Sequence, residues 1–133
     1  MPKPLVLGDL EASVLARLWD HGSADAKMVH AAIGTRRRIT LNTVQSAMER
    51  LFRKDLLARD KIGHAYVYRP RLTRTQVGKR LLGQLADQLN GRGQDGLLFA
   101  FSDLTERADE RTIAELERLV AQRREELARK ART

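Results

Sequence analysis

The chain has 133 residues, of which 42% are hydrophobic, and this suits one modest domain or a small domain with an extension. Its net charge of +8 predicts an anionic partner such as nucleic acid. The absence of cysteine excludes disulfides, thiolate metal sites and a cysteine nucleophile. No apolar run approaches the roughly 20 residues of a membrane span, and the first residues lack the apolar core of a signal peptide. We therefore expect a cytoplasmic protein with no membrane partner.

The first predicted element is a helix over residues 9–20. Its apolar residues recur at the spacing of one helical face, and they are Leu10, Val14, Leu15, Leu18 and Trp19. Asp9 can cap the amino terminus, and the sequence HGS at 21–23 can end the helix. We interpret Trp19 as a core residue rather than a stacking platform.

A shorter helix is predicted over residues 26–33. Asp25 can cap it and Gly34 can end it. The residues expected to be buried are Met28, Val29 and Ile33. A polar, basic link with the sequence TRRR follows at 35–38.

The third predicted helix runs from about Leu41 to Lys54, with Thr40 as its cap. One side carries an apolar stripe of Leu41, Val44, Met48, Leu51 and Phe52. The other side is polar and carries Asn42, Thr43, Gln45, Ser46, Glu49, Arg50 and Arg53. This two-sided pattern predicts one buried face and one exposed face.

Two short strands are predicted next, LLARD at 56–60 and AYVYRP at 65–70, around the sequence KIGH. Gly63 supplies the turn residue, and Pro70 closes the second strand. Three short helices followed by a two-stranded hairpin predict a winged helix, a variant of the helix-turn-helix. In such modules the third helix lies in the major groove of DNA.

The rest of the chain is predicted to be helical. The sequence TRTQ at 73–76 is a capping box, and the helix that follows stops at NGRGQDG. Residues 97–104 form a short, apolar helix, and Asp109 caps a last helix that reaches about Lys130. The fold class is therefore mainly α with a small β-hairpin wing.

We divide the chain into a winged-helix DNA-binding domain at 1–72 and a helical dimerisation domain at 73–133. The C-terminal helices carry more apolar surface than a winged helix alone needs, and a partner subunit would cover it. The predicted dimer contacts are Leu85, Leu97, Leu98, Phe99, Phe101, Ile113, Leu116 and Val120.

The excess positive charge lies in one segment. Residues 36–71 hold ten Lys/Arg and three Asp/Glu, a net +7, whereas the remaining residues carry a net +1. Together with the polar helix face and the hairpin, this charge favours double-stranded DNA as the partner. The predicted contact residues are Arg37, Arg38, Asn42, Thr43, Gln45, Ser46, Arg50, Arg53, Lys61 and His64.

The residue types indicate different roles. Gln45 can pair with adenine through two hydrogen bonds, while Thr43 and Ser46 can bond bases or phosphate. Arg50 and Arg53 lie further along the helix, where phosphate contact is expected. Lys61 and His64 can reach the DNA backbone or the minor groove from the wing.

Other interpretations stay open. A polar face is common on surface helices, and arginine runs are often solvated loops. The chain could be a winged-helix protein-interaction module, or an architectural DNA binder without sequence preference. The three histidines lack ligand spacing, and the sequence lacks a phosphate-binding loop or a nucleophile with its base, so we expect no metal, no cofactor and no enzyme activity.

The segments LGDLEASVLARLWDHGSADAKMVH at 7–30 and NTVQSAMERLFRKDLLARDKIGHAYVYRP at 42–70 resemble the penicillinase repressors, also called the BlaI/MecI/CopY family. The resemblance covers about residues 5–130, tightly to Pro70 and loosely beyond. It implies a homodimeric winged-helix repressor whose subunits each bind half of an inverted-repeat operator. It also implies that the C-terminal helices interlock, and that residues 61–64 form the wing.

Three departures from the family pattern limit what the resemblance implies. Copper-responsive members carry a C-terminal cysteine cluster, and this chain has no cysteine. In the penicillinase branch a regulatory protease cuts an Asn–Phe bond, and the corresponding bond here is Ala100–Phe101. A protease partner is therefore in question. Gln45 stands where some relatives have a basic residue, so the operator can differ.

Overall fold

The computed structural model describes residues 3–89 and 94–133, and its side chains at 3–89 and 98–133. The chain divides into two compact units, Met1–Asp87 and Gln88–Thr133. The predicted stop of a helix at NGRGQDG begins outside the described residues.

The first unit is a bundle of short helices followed by an antiparallel hairpin, which confirms the predicted fold class. Its elements are α1 (Asp9–His21), α2 (Ala26–Val29), a π-helical turn (His30–Gly34), α3 (Thr35–Arg37), α4 (Leu41–Arg53), β1 (Leu57–Ile62), β2 (Ala65–Pro70) and α5 (Arg74–Leu89).

The core of the first unit lies where α1 packs against α4. The predicted apolar faces of both helices point into the core. Some predicted members of these faces are only partly buried, and they are Leu10, Trp19, Leu41 and Phe52. The side chains with almost no exposure are Val14, Leu15, Leu18, Val44, Ala47, Met48 and Leu51. Burying one such aliphatic side chain stabilises the fold by about 1.5–3 kcal/mol. Because four of these residues belong to α4, the core fixes which face of that helix points outward.

The first helix begins at Asp9, as predicted, but its predicted cap is wrong. Gly8, not Asp9, is its N-cap, and the Gly8 carbonyl accepts the first helical hydrogen bond from Ala12 N at 2.9 Å. Asp9 lies inside the first turn, where its negative charge interacts favourably with the positive end of the helix dipole. The predicted end is confirmed, because Gly22 adopts a φ of +92° that few other residues tolerate.

The second helix continues past its predicted end. Asp25 caps it as predicted, accepting from Met28 N at 2.8 Å, but Gly34 does not end it. The chain passes through the π-helical turn into α3 and stops at Arg38, which has a φ of +54°. Gly34 is needed for packing instead, since an added Cβ would lie 2.2 Å from the His30 ring.

For one residue of this helix, Met28, the prediction of burial is wrong. Val29 is fully buried and Ile33 is partly buried, but Met28 is 58% exposed. A helix of four residues presents only one narrow face to the core, and Val29 occupies it.

Helix α4 and the hairpin follow the prediction closely. Thr40 Oγ1 caps α4 by accepting from Thr43 N at 3.2 Å. The first strand is longer than predicted, because Lys61 and Ile62 still pair with the second strand. Gly63 and His64 are the two central residues of the turn. Gly63 has the positive φ (+65°) expected at the first central position of a type II′ turn.

Helix α5 starts at the predicted capping box. Thr73 Oγ1 accepts from Gln76 N at 3.1 Å, and the Gln76 side chain accepts from Thr73 N at 2.8 Å. Val77 is buried in the core of the first unit. The compact unit thus extends to Asp87, further than residue 72, while the boundary between folding domains stays a prediction.

The second unit consists of α6 (Gln94–Thr105) and α7 (Glu110–Ala131). Asp109 caps α7 as predicted, accepting from Thr112 N at 2.8 Å, and its hydrogen bonds with Thr112 lower the pKa of the Asp109 carboxyl. Among the described side chains of this unit, at 98–133, none is buried.

Replacing the cap of α4 should weaken the first unit. Thr40→Ala removes the acceptor for Thr43 N, and we expect it to lower the free energy of unfolding by about 1 kcal/mol. Thr40→Ser keeps the hydroxyl and is the control. Urea unfolding followed by circular dichroism measures both, and equal midpoints for the two variants would contradict the role of the cap.

Candidate nucleic-acid interface

The outward face of α4 is polar along its first half. Asn42, Thr43, Gln45 and Ser46 are all exposed, because the buried residues Val44, Ala47, Met48 and Leu51 lie on the other side of the helix. Their short side chains project from a helix whose position is fixed by the core. This is the arrangement in which a helix can present hydrogen-bonding groups to base edges in a major groove.

A groove of about 810 Å³ runs between this face of α4, the start of α2 and the hairpin. We call it the wing-side groove. It is lined by Asp25, Ala26, Lys27, Asn42, Gln45, Ser46, Glu49, Arg50, Arg53, His64, Ala65, Tyr66 and Tyr68. The structure thus brings six of the ten predicted contact residues together at one surface.

The other four predicted residues lie outside the lining of this groove. Thr43 is exposed on α4, and Lys61 is exposed near the end of β1. Arg37 and Arg38 are exposed at the end of α3, and the Arg37 guanidinium donates to Ser13 Oγ of α1. These two arginines therefore flank the amino-terminal end of α4.

Arg59 joins the hairpin to α4, and the sequence analysis did not single it out. Its guanidinium pairs with the Glu49 carboxylate and stacks on Phe52 and Tyr66, with 3.9 and 4.1 Å from the guanidinium carbon to the ring centroids. Its hydrogen bond to Tyr68 Oη and the Glu49 carboxylate raise the pKa of Arg59.

A sequence signal for Arg59 exists. It follows the buried Leu57 by two residues on β1, so strand alternation puts both side chains on the same face of the hairpin. The sequence alone could not show which residues of α4 Arg59 contacts, and the tertiary structure identifies them as Phe52 and Glu49.

Glu11 is a second residue that the sequence analysis missed. It is a buried carboxylate on α1, and it accepts from Lys54 Nζ at 2.6 Å while Arg50 Nε lies 3.6 Å from its other oxygen. Arg50 stays half exposed and lines the wing-side groove. Glu11 thus fixes the second half of α4 and partly balances its positive charge.

Arg53 is paired more loosely. Its Nε lies 3.3 Å from Glu49 Oε1 on the preceding turn, and its side chain is 75% exposed. Such an exposed pair contributes little to stability, and it can open when a stronger anion approaches. Arg53 is therefore available to a phosphate.

The ring side chains of Trp19 and His30 bond to backbone carbonyls within the first unit. Trp19 is partly buried, its Nε1 donates to the Leu72 carbonyl at 2.9 Å, and Arg74 lies 5.3 Å over its ring. His30 Nε2 lies 2.8 Å from the Ile39 carbonyl. Among the side chains described at 3–89 and 98–133, no group of His, Asp and Glu is arranged to hold a metal ion. No helix in the described part of the chain combines the length and apolarity needed to cross a membrane.

The fold and this surface define a winged helix-turn-helix protein. A family model described as "penicillinase repressor" matches residues 7–122, and the chain therefore belongs to the penicillinase repressor family. This confirms the resemblance given by the motifs at 7–30 and 42–70.

The chain is 34% identical over 71 residues to the transcriptional regulator BlaI of Mycobacterium tuberculosis, in both strain CDC 1551 / Oshkosh and strain ATCC 25618 / H37Rv. The match covers 53% of this chain and 51% of each relative, so it spans about half the length of those relatives. These relatives are transcriptional regulators, and the family is one of repressors rather than of enzymes.

The first unit also resembles a solved structure, the solution structure of the DNA binding domain of the repressor BlaI. The TM-score is 0.51 at 26% identity, and the match covers 57% of this chain and 93% of that domain. The likeness supports the winged-helix fold of the first unit.

Replacing Arg59 should loosen the wing. Arg59→Lys keeps the charge but loses the planar guanidinium that stacks on Phe52 and Tyr66, so we expect the Tm to fall by several degrees. Arg69→Lys is the matched control, because Arg69 forms only an exposed pair with Asp60 on the same hairpin. Calorimetry measures the Tm of both variants. An unchanged Tm in Arg59→Lys would contradict the proposal that Arg59 stabilises the hairpin against α4.

Proposed function

We propose that the chain is a cytoplasmic, homodimeric transcriptional repressor whose winged helices each bind one half of an inverted-repeat operator. One observation carries the proposal. The exposed polar face of α4 opens onto the wing-side groove, while the opposite face of the same helix is buried against α1.

In this proposal the two halves of α4 act differently. Gln45, Thr43 and Ser46 lie in the amino-terminal half and read base edges, where good bidentate contacts discriminate by about 1–3 kcal/mol. Arg50 and Arg53 lie in the second half and bind phosphates. The remaining proposed contacts are Asn42 on α4 itself, and Arg37, Arg38, Lys61 and His64 on the elements before and after it.

The proposal of a homodimer is supported by large apolar side chains that are exposed in the described part of the second unit. Phe99 is 74% exposed and Leu98 is 65% exposed, and large apolar surfaces of this kind mark interaction sites. The other proposed contacts with described side chains are the exposed Leu85, Phe101 and Val120 and the partly exposed Ile113 and Leu116. The side chain of Leu97 lies outside the described residues.

A symmetric dimer sets the form of the operator. A closed dimer relates its two recognition helices by a two-fold axis, so the DNA half-sites follow the same symmetry. Repression follows where that operator overlaps the site of RNA polymerase. Release by cleavage in α6 is not part of the proposal, since Ala100 stands before Phe101 in place of asparagine.

Two other functions are distinguished by binding data. A protein-interaction module would bind DNA weakly and with no salt dependence, but the net +7 between residues 36 and 71 argues against it. A nonspecific architectural binder would depend on salt like a repressor, yet would prefer no operator.

The first test is fluorescence anisotropy with DNA from upstream of the chain's own gene. A scrambled duplex of equal length is the control, and both are measured at two salt concentrations. We expect a preference of at least about 10³-fold for a specific site, and binding that weakens with salt. Equal binding to every upstream duplex would contradict the operator, and no binding at low salt would contradict DNA as the partner.

Two substitutions on α4 should separate the proposed roles. Gln45→Ala should cost about 1–3 kcal/mol on the operator and little on scrambled DNA, because it removes a base contact. Arg53→Ala should weaken both duplexes alike and make the salt dependence shallower. Equal losses on operator and scrambled DNA for Gln45→Ala would contradict its assignment to base reading.

A charge on the proposed dimer face should separate the subunits. Val120→Asp places a carboxylate among apolar side chains, and we expect it to shift the protein from dimer to monomer in sedimentation velocity. Gln122→Asp adds the same charge two residues away on α7 and is the control. A wild-type protein that stays monomeric at high concentration would contradict the homodimer.

A further inference from the structure

The segment before α1, residues 3–7, is bound tightly to the first unit, and we call it the strap. Leu5 is buried, and its backbone N–H and carbonyl both bond to the side-chain amide of Gln84 on α5, at 2.6 and 2.9 Å. The next carbonyl, that of Val6, accepts from Lys54 Nζ at 2.6 Å. The strap therefore has a fixed position against both α5 and the end of α4.

A second groove, of about 720 Å³, lies between the strap, the end of α4 and α5. We call it the strap-side groove. Its lining contains five cations and one carboxylate, with three apolar residues of the strap, and comprises Lys3, Pro4, Leu5, Val6, Arg50, Arg53, Lys54, Asp55 and Arg80. The groove is thus strongly basic.

The charges inside the first unit do not balance this groove. Glu11 is shared by Lys54 and Arg50, and Glu49 is shared by Arg53 and Arg59. The Asp55 carboxylate accepts from Arg71 at 3.1 Å. Lys3 and Arg80 take part in none of the ion pairs among the described residues. An external anion is the natural partner of such cations.

The position of the groove identifies that anion. Arg50 and Arg53 line both the wing-side and the strap-side grooves, so the second half of α4 separates the two. A helix that lies in a major groove has a phosphate backbone on each side of it. If one backbone passes on the side of the wing, the other passes on the side of the strap.

We propose that the strap-side groove binds backbone phosphates of the operator through Lys3 and Arg80, on the side of α4 opposite the wing. The inference rests on the proposed DNA-binding function and enlarges the DNA contact surface beyond the helix-turn-helix and the wing. Since these contacts are to phosphates, they add affinity on all sequences and no base preference.

The test compares neighbouring cations on α5. Arg80→Ala and the double variant Lys3→Ala/Arg80→Ala remove groove charges, whereas Lys79→Ala removes an exposed charge of α5 that does not line the groove. Anisotropy titrations over a range of salt concentrations give the affinity and its salt slope for each.

We expect Arg80→Ala to weaken binding several-fold on operator and scrambled duplexes alike, and the slope of log K against log salt to become shallower by about one per lost phosphate contact. The double variant should lose more, and Lys79→Ala should match the wild type. Wild-type slopes in the double variant would overturn the inference while leaving the proposed function intact. A wild-type protein that does not bind DNA would overturn both.

A second pair of variants tests the groove without removing a cation. Val6 is 69% exposed on the strap, so Val6→Glu can add a carboxylate without disturbing the core. We expect Val6→Glu to weaken binding to all DNA, and Val6→Gln, of the same size, to bind like the wild type. Equal binding by the two variants would contradict a phosphate in this groove.

Discussion

The packing of α1 against α4 is the contact on which the proposed interface depends. Val44, Met48 and Leu51 face the core with almost no exposure, so the polar residues between them must face solvent. A substitution that opens a cavity there would cost about 2–5 kcal/mol, a large part of the stability of a small domain. The same contact therefore stabilises the fold and orients the helix proposed to read DNA.

Charged residues fix the second half of α4 on two sides. Glu11 holds Lys54 and Arg50 from α1, and Glu49 holds Arg59 from the hairpin. These carboxylates lie beneath a surface with a large excess of positive charge, and they limit the repulsion among its cations. Glu11 leaves the Arg50 guanidinium half exposed, where a phosphate can reach it, so this pair serves the fold and the proposed binding together.

The two units differ in how they acquire stability. The first has its own core, whereas no described side chain at 98–133 is buried. Helices with exposed residues such as Phe99 and Leu98 gain stability mainly by packing against another surface. A second copy of the chain would supply that surface, and it would couple the folding of the C-terminal helices to the assembly of a two-fold symmetric DNA-binding protein.

The sequence by itself determined the local structure. The period of the apolar residues predicted α1 and α4, and the side chains of Thr40, Thr73 and Asp109 predicted where three helices begin. These predictions succeed because the helical period and the caps depend only on residues three or four positions apart. The basic segment and the polar face of α4 were visible for the same reason, as were the motifs of the family.

Only the tertiary structure decided which distant residues meet. Lys54 pairs with Glu11 across 43 residues, and Gln84 binds Leu5 across 79. No local period encodes such pairs, because they depend on how separately formed helices pack. The exposure of Met28, the contacts of Arg59 and the strap-side groove follow from that packing, and for this physical reason the sequence alone could not reveal them.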